Sequence, residues 1–267
     1  AAFGSTWDSN EALRKYCLEE SKRILDTYGN HPSFVMFSLA NEPMNGLEVR
    51  QEIIRQLRAY DPRPLYAQGS NSNFTNPAVT AGDDFWCSYR SCKGAEGNMR
   101  GSYAHADAPL GGVQLPGGGT MRDLSSAVKH SPIPLIGHET GQYQAYPNYR
   151  EIEKYTGVLK PVNLEIFRSR LERAGMLHLA DAFHRASGAL MAINYREDIE
   201  QALRTRGFAG FQLLDLQDFP GQGTALVGLL DAFLDDKGFI KPELWRNFCQ
   251  PSVLLARFKS YTWTEGE

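Results

Sequence analysis

His31-Pro32-Ser33-Phe34-Val35-Met36-Phe37-Ser38-Leu39-Ala40-Asn41-Glu42-Pro43 is the stretch that decides how this chain reads. A proline turn opens it, an apolar run of strand length follows, and an amide and a carboxylate close it before a second proline. A short apolar run bounded by turn signals reads as a strand buried on both faces. Strands of that kind belong to parallel sheets covered by helices. A second stretch repeats the pattern: Ile133-Pro134-Leu135-Ile136-Gly137-His138 runs into Glu139. Each puts a carboxylate just past a buried strand.

The surrounding sequence alternates helix and strand signals. Leu13, Cys17, Leu18, Ile24 and Leu25 recur at helical spacing, which predicts a helix over 10–28 with Gly29 as its stop. The strand at 34–39 follows, then a helix over 47–60 that Asp61-Pro62-Arg63-Pro64 ends. Further strands are expected at 65–68, 84–89, 133–137 and 208–214. Between them come a glycine-rich loop over 91–120, a short helix over 121–129, an irregular stretch over 143–162 and a long helix over 164–203, broken near Gly175 or Gly188. A last helix at 241–248 has Pro242 near its first turn, and 252–263 is extended and apolar. Helices alternating with strands predict a parallel α/β architecture. Carboxylates at strand ends suit a barrel, where catalytic groups sit at the C-terminal ends of the strands. Five strand-helix units can be read, fewer than the eight of a (β/α)8 TIM barrel, so an incomplete barrel of that type is expected.

Composition sets the bounds. The chain has 267 residues, 42% of them hydrophobic, and a net charge of -3. It can bury a sizeable core and lacks the basic footprint of nucleic-acid binding. No apolar run is long enough to span a membrane. The four cysteines, Cys17, Cys87, Cys92 and Cys249, are too few for a disulfide scaffold. Cys87 and Cys92 could form a disulfide or remain thiols. No C-x-x-C zinc spacing is present, and His178 and His184 on the long helix lack the i, i+4 spacing of a helical zinc pair. No metal or other cofactor is expected. Pro116-Gly117-Gly118-Gly119-Thr120 lacks the Gly-Lys-Ser/Thr of a phosphate loop, and no Gly-x-Ser-x-Gly elbow supports a serine hydrolase.

The segment from His31 to Pro43 resembles the acid/base strand of clan A glycoside hydrolases. The family 2 group of β-galactosidases, β-glucuronidases and β-mannosidases is the nearest match. In that family the strand ending in Asn-Glu is barrel strand four, and Ile136-Gly137-His138-Glu139-Thr140-Gly141 looks like the end of strand seven. The resemblance implies that Glu42 is the general acid/base, that Asn41 holds the sugar 2-hydroxyl, and that Glu139 is the nucleophile. It further implies that barrel strands one to three are absent. Residues 1–250 would be the barrel portion and 251–267 the start of a following segment. The implied function is retaining hydrolysis of β-linked sugars by double displacement on a carbohydrate substrate, with no nucleic-acid partner. A periplasmic or extracellular location and an open sheet edge able to pair with another copy follow as expectations.

Other side chains carry open readings. Tyr89, or Tyr103 in the following loop, could hydrogen-bond the nucleophile as a tyrosine does in the family; either could be a packed aromatic. Trp86 could stack on a sugar or pack in the core. His138 could contact substrate or be a satisfied strand-end histidine. Asp215, with Gln217 and Asp218, could bind sugar hydroxyls or form a solvated turn. The family's strand eight often carries a tryptophan; Phe211-Gln212-Leu213-Leu214-Asp215-Leu216-Gln217-Asp218-Phe219 has none, and Phe219 could replace it. That departure motivates an alternative, a non-catalytic carbohydrate-binding scaffold derived from such an enzyme.

Overall fold

A computed structural model describes residues 7–72, 78–90, 119–129 and 131–266. The chain divides into two compact units: Ala1–Met99 with Asp123–His138 and Thr205–Gln212, and Arg100–Arg122 with Glu139–Arg204 and Leu213–Glu267.

The first unit opens with helix α1 (Glu11–Tyr28), whose N-cap Asn10 accepts the Leu13 amide through its side chain at 2.9 Å. Such a cap is worth about 1 kcal/mol. Strand β1 (Met36–Ser38), helix α2 (Leu47–Tyr60) and strand β2 (Leu65–Ala67) follow. β1 and β2 pair in parallel with Met36 opposite Leu65, Phe37 opposite Tyr66 and Ser38 opposite Ala67. Trp7, Leu25, Ala40, Ile53, Ile54, Leu57 and Tyr66 form the core between the two helices and these strands. A side chain as fully buried as Leu57 contributes about 1.5–3 kcal/mol. Arg58 and Asp84 pair at 2.8 Å, and Asp61 and Arg63 lock the turn that the prolines start, at 2.7 Å.

Strand β3 (Trp86–Ser88) opens a second sheet. The carboxylates of Asp84 and Asp83 accept the amides of Tyr66 and Gln68, each at 2.8 Å. The edge of β2 toward β3 is thereby satisfied by side chains. Strand β4 (Leu135–Gly141) lies parallel to β3, with Trp86 opposite Leu135, Cys87 opposite Ile136 and Ser88 opposite Gly137. Strand β5 (Phe208–Leu214) completes the order β3-β4-β5. The short helix α3 (Ser125–Val128) packs Ala127 against Trp86 and Leu135. Among the described residues five strands lie in two sheets, β1-β2 and β3-β4-β5, with helices on most of their connections, an incomplete α/β barrel as the sequence predicts.

The second unit contains the end of β4, a 3-10 turn (Tyr149–Lys154), helix α4 (Val162–Arg173), a second 3-10 turn (Leu177–Leu179), helix α5 (Ala180–Arg204) and helix α6 (Pro242–Arg246). Of the two predicted breaks in the long helix, only Gly175 is one: it takes φ +72° and ends α4. Gly188 stays inside α5 and leaves room for the Phe239 ring, to which a Cβ would come within 2.0 Å. Tyr143, Ala145, Met191 and Tyr195 form the core of this unit. Residues 252–263, expected to be extended, carry no regular element and leave Leu254, Phe258, Tyr261 and Trp263 exposed. No helix among the described residues is long and apolar enough to cross a membrane.

Candidate active site

In the first unit the two ends of β1 and β2 continue past their last regular residues. Ser70 donates its amide to the Ala40 carbonyl and Glu42 donates its amide to the Ser70 carbonyl, both at 2.8 Å. Asn41 and Ser70 thereby form a parallel bridge, and the side chains of Ser38 and Ser70 meet at 2.9 Å. This pairing carries Asn41 and Glu42 to the C-terminal edge of the sheet. Glu42 takes φ +47° there, a conformation that costs a non-glycine residue energy and is concentrated at functional positions. Its carboxylate is half-buried.

A second residue meets it. Asn71, fully buried and at φ +49°, donates from Nδ2 to Oε1 of Glu42 at 2.7 Å. The Ser88 hydroxyl donates to Asn71 Oδ1 at 3.0 Å, and Ser88 Oγ accepts the Arg90 amide at 3.1 Å. The Asn71 amide donates to the Cys87 carbonyl at 2.7 Å. Neither Asn71 nor Ser88 is singled out by the sequence, where Gly69-Ser70-Asn71 reads as the close of a strand. The usable signal is positional: a polar residue that ends one strand lies beside the acid that ends its neighbour.

His138 is 2% exposed and sits on β4. Its Nδ1 lies 2.7 Å from Gln212 Oε1, an oxygen that only accepts, so Nδ1 carries a proton. The Cys87 thiol lies 3.9 Å from the same nitrogen. Glu42 and His138 belong to a group whose donor atoms lie within 4.8 Å of one another, a spacing at which a cation could be shared. Glu139 is the covalent neighbour of His138. It takes φ +52°, and within its own unit Gln142 Nε2 donates to its Oε2 at 3.1 Å.

The remaining expected site residues divide. Tyr89 is buried at the end of β3, with the Arg90 guanidinium 5.2 Å from its ring centre. Trp86 is 2% exposed and packs against Ala127 and Leu135, with its indole N–H donating to the Arg90 carbonyl at 3.0 Å. Of its two readings the structure favours the core one, because a side chain this buried offers no face to a sugar. Tyr103, Cys92 and most of the glycine-rich loop lie outside the described residues, and Cys87 is a free thiol.

In the second unit Asp215 is half-buried. Its amide donates to the Tyr195 hydroxyl at 3.1 Å, and its carboxylate accepts the Leu216 amide at 2.6 Å. Asp218, grouped with it by sequence, is instead buried and paired with Lys237 at 2.6 Å. Burial raises its carboxyl above the usual range against the pull of Lys237. Beside it, burial and the charge of Asp218 push Glu151 up to about 7. Phe219 is half-exposed and lies against Gly221. His184 donates from Nδ1 to the Tyr146 carbonyl at 2.7 Å, a structural contact.

A family model described as glycosyl hydrolases family 2, TIM barrel domain, matches residues 3–91. The matched stretch contains Asn41, Glu42, Asn71 and Ser88. The chain is also similar to two solved structures of a β-glucuronidase from Ruminococcus gnavus. One has 14% identity and a TM-score of 0.46, covering 85% of this chain and 34% of that one. The other, in the apo state, has 15% identity and a TM-score of 0.45, covering 85% and 35%. The chain thus spans about a third of the length of those enzymes. No curated protein sequence matches the chain. Over residues 3–91 the chain is thus similar to the TIM barrel domain of glycosyl hydrolases family 2.

Proposed function

We propose that this chain supplies the catalytic carboxylates of a retaining β-glycosidase, with Glu42 as general acid/base and Glu139 as nucleophile. The observation that carries the reading is the placement of Glu42. It ends a parallel strand, inside the family-matched segment, with one carboxylate oxygen held by a buried amide. Two further facts support it. The Glu42 carboxylate has His138 within 4.8 Å, and Glu139 is the next residue along that strand.

In the first step the Glu42 proton goes to the glycosidic oxygen as the C1–O bond breaks. A carboxylate oxygen of Glu139 bonds to C1 from the opposite face. In the second step Glu42 takes a proton from water, the water oxygen bonds to C1, and the bond from C1 to Glu139 breaks. Asn41, bridged to Ser70 at the strand end, would hold a sugar hydroxyl. The substrate is a β-linked carbohydrate, and a periplasmic or extracellular enzyme acting on such glycans fits the reading.

The test uses the full-length protein on a panel of aryl β-glycosides. Glu139→Ala is expected to lower kcat by about four orders of magnitude or more, and trapping with a 2-fluoro sugar should label Glu139 in the wild type. Unchanged turnover in Glu139→Ala would overturn the mechanism. Sugar binding without hydrolysis by the wild type would favour the carbohydrate-binding scaffold, to which the absent strand-eight tryptophan points.

A further inference from the structure

We propose that Asn71 is a positioning residue for the proton donor of this site: oriented by Ser88, it holds Oε1 of Glu42 as an acceptor and leaves Oε2 to carry the transferred proton. The inference rests on the acid/base role of Glu42 given above.

The geometry fixes each hydrogen in turn. Ser88 Oγ accepts the Arg90 amide at 3.1 Å, and its own hydrogen goes to Asn71 Oδ1 at 3.0 Å. The NH2 end of Asn71 is the one that faces Glu42 Oε1 at 2.7 Å, because an ionised carboxylate only accepts, and the amide oxygen is therefore the end that takes the Ser88 hydrogen. A protonated carboxyl has one O–H and one bare oxygen. An N–H aimed at Oε1 is compatible with the bare oxygen and opposes an O–H there, so the proton resides on Oε2.

In the wild type the two ends of the amide are held by Ser88 and Glu42. Asn71 has no exposed surface, and its backbone is tied to Cys87 at 2.7 Å. Asparagine is among the few residues that take its φ of +49° readily. A sequence of three side chains, Ser88, Asn71 and Glu42, thus converts the rigid parallel pairing of the sheet into a choice between two carboxylate oxygens.

The variant to make in the full-length protein is Asn71→Asp, which keeps the shape and tolerates the same φ. An oxygen then replaces the NH2, and the Glu42 proton is drawn to Oε1 to bridge the two carboxyls. Ser88→Ala is the second variant, freeing the amide to turn. The readout is kcat/KM on two β-glycosides of the same sugar. One has an alkyl or unactivated phenyl leaving group, which needs a proton; the other has a dinitrophenyl group, which does not.

For Asn71→Asp we expect a loss of about 10²-fold on the first substrate, the range of general acid catalysis, and about threefold or less on the second. Ser88→Ala should show the same pattern with a smaller loss. Equal losses on both substrates, or no loss on the first, would overturn the assignment of Asn71, since a merely structural defect does not sort substrates by leaving group. Glu42→Gln is the control that separates the two claims. If it shows the leaving-group pattern and Asn71→Asp does not, the Asn71 inference alone is wrong. If Glu42→Gln lacks the pattern, the acid/base assignment is wrong and this inference goes with it.

Discussion

Gly141 lies so close to Tyr195 that a Cβ on Gly141 would come within 2.1 Å of the tyrosine ring. Gly141 ends β4 at φ +103°, and Tyr195 is fully buried on α5. The tyrosine hydroxyl lies 2.6 Å from the Val227 carbonyl and 3.0 Å from the Leu214 carbonyl. The end of the strand that carries Glu139 is therefore seated on a ring that has no room to retreat. Gly141→Ala combines a clash with a disfavoured φ. It is expected to destabilise the protein by about 2–4 kcal/mol, read as a fall in the urea midpoint. Tyr195→Phe keeps the ring and should leave the Gly141 contact intact, with a loss of about 1–2 kcal/mol from the hydroxyl alone.

Glu42 provides the most direct functional prediction. Glu42→Gln keeps the size of the side chain and removes the transferable proton. Its kcat on unactivated substrates should fall about 10²–10⁴-fold, while its thermal midpoint stays within a few degrees of wild type. A large fall in both would mean that Glu42 supports the fold and not the reaction.

Lys237 and Asp218 form an ion pair in which both side chains are nearly inaccessible, 3% and 4% exposed. Asp218 also accepts the Gly228 amide at 2.9 Å. Removing one partner leaves a buried charge alone, so Lys237→Ala should cost about 3–5 kcal/mol. Exchanging both, as Lys237→Met with Asp218→Leu, should recover much of that loss. Equilibrium denaturation of the three variants checks it; a double variant weaker than Lys237→Ala would show that the backbone contact to Asp218 dominates.

Glu151 sets a pH dependence. Burial first, then the charge of Asp218, raises its carboxyl from 4.5 to about 7; Asp231 acts in the same direction, while Lys237 and Lys154 oppose it. The folded state keeps this proton over a range where the unfolded state has lost it. Its contribution is therefore fully present below about pH 4.5 and is lost as pH rises to about 7. Glu151→Gln should remove this component, so the variant gains about 1–3 kcal/mol relative to wild type between pH 4.5 and 7.5. Urea titrations at the two pH values measure the difference, and parallel behaviour of the two proteins would show that Glu151 is not the group responsible.

Much of this architecture is legible along the chain. The helix over 47–60 and the strand over 208–214 coincide with α2 and β5 as read, because periodicity and turn residues act between near neighbours. The acid at the end of the first apolar run is legible for the same reason. Boundaries shift where pairing extends a strand: β4 runs to Gly141 and takes in His138 and Glu139, although the apolar signal ends at Gly137.

The sequence by itself determined the alternation of helices and strands and the position of Glu42 and Glu139 just past apolar runs, since these follow from local patterning. Only the tertiary structure decided which groups hold Glu42. Asn71 lies 29 residues away and Ser88 a further 17, and their meeting depends on the parallel pairing of β1 with β2 and on the Asn71 amide bonding to the Cys87 carbonyl. It also decided that Trp86 is core and that Asp218 is half of an ion pair. Burial and partnership are properties of the packed chain, where a side chain's role is set by neighbours that the sequence places far off.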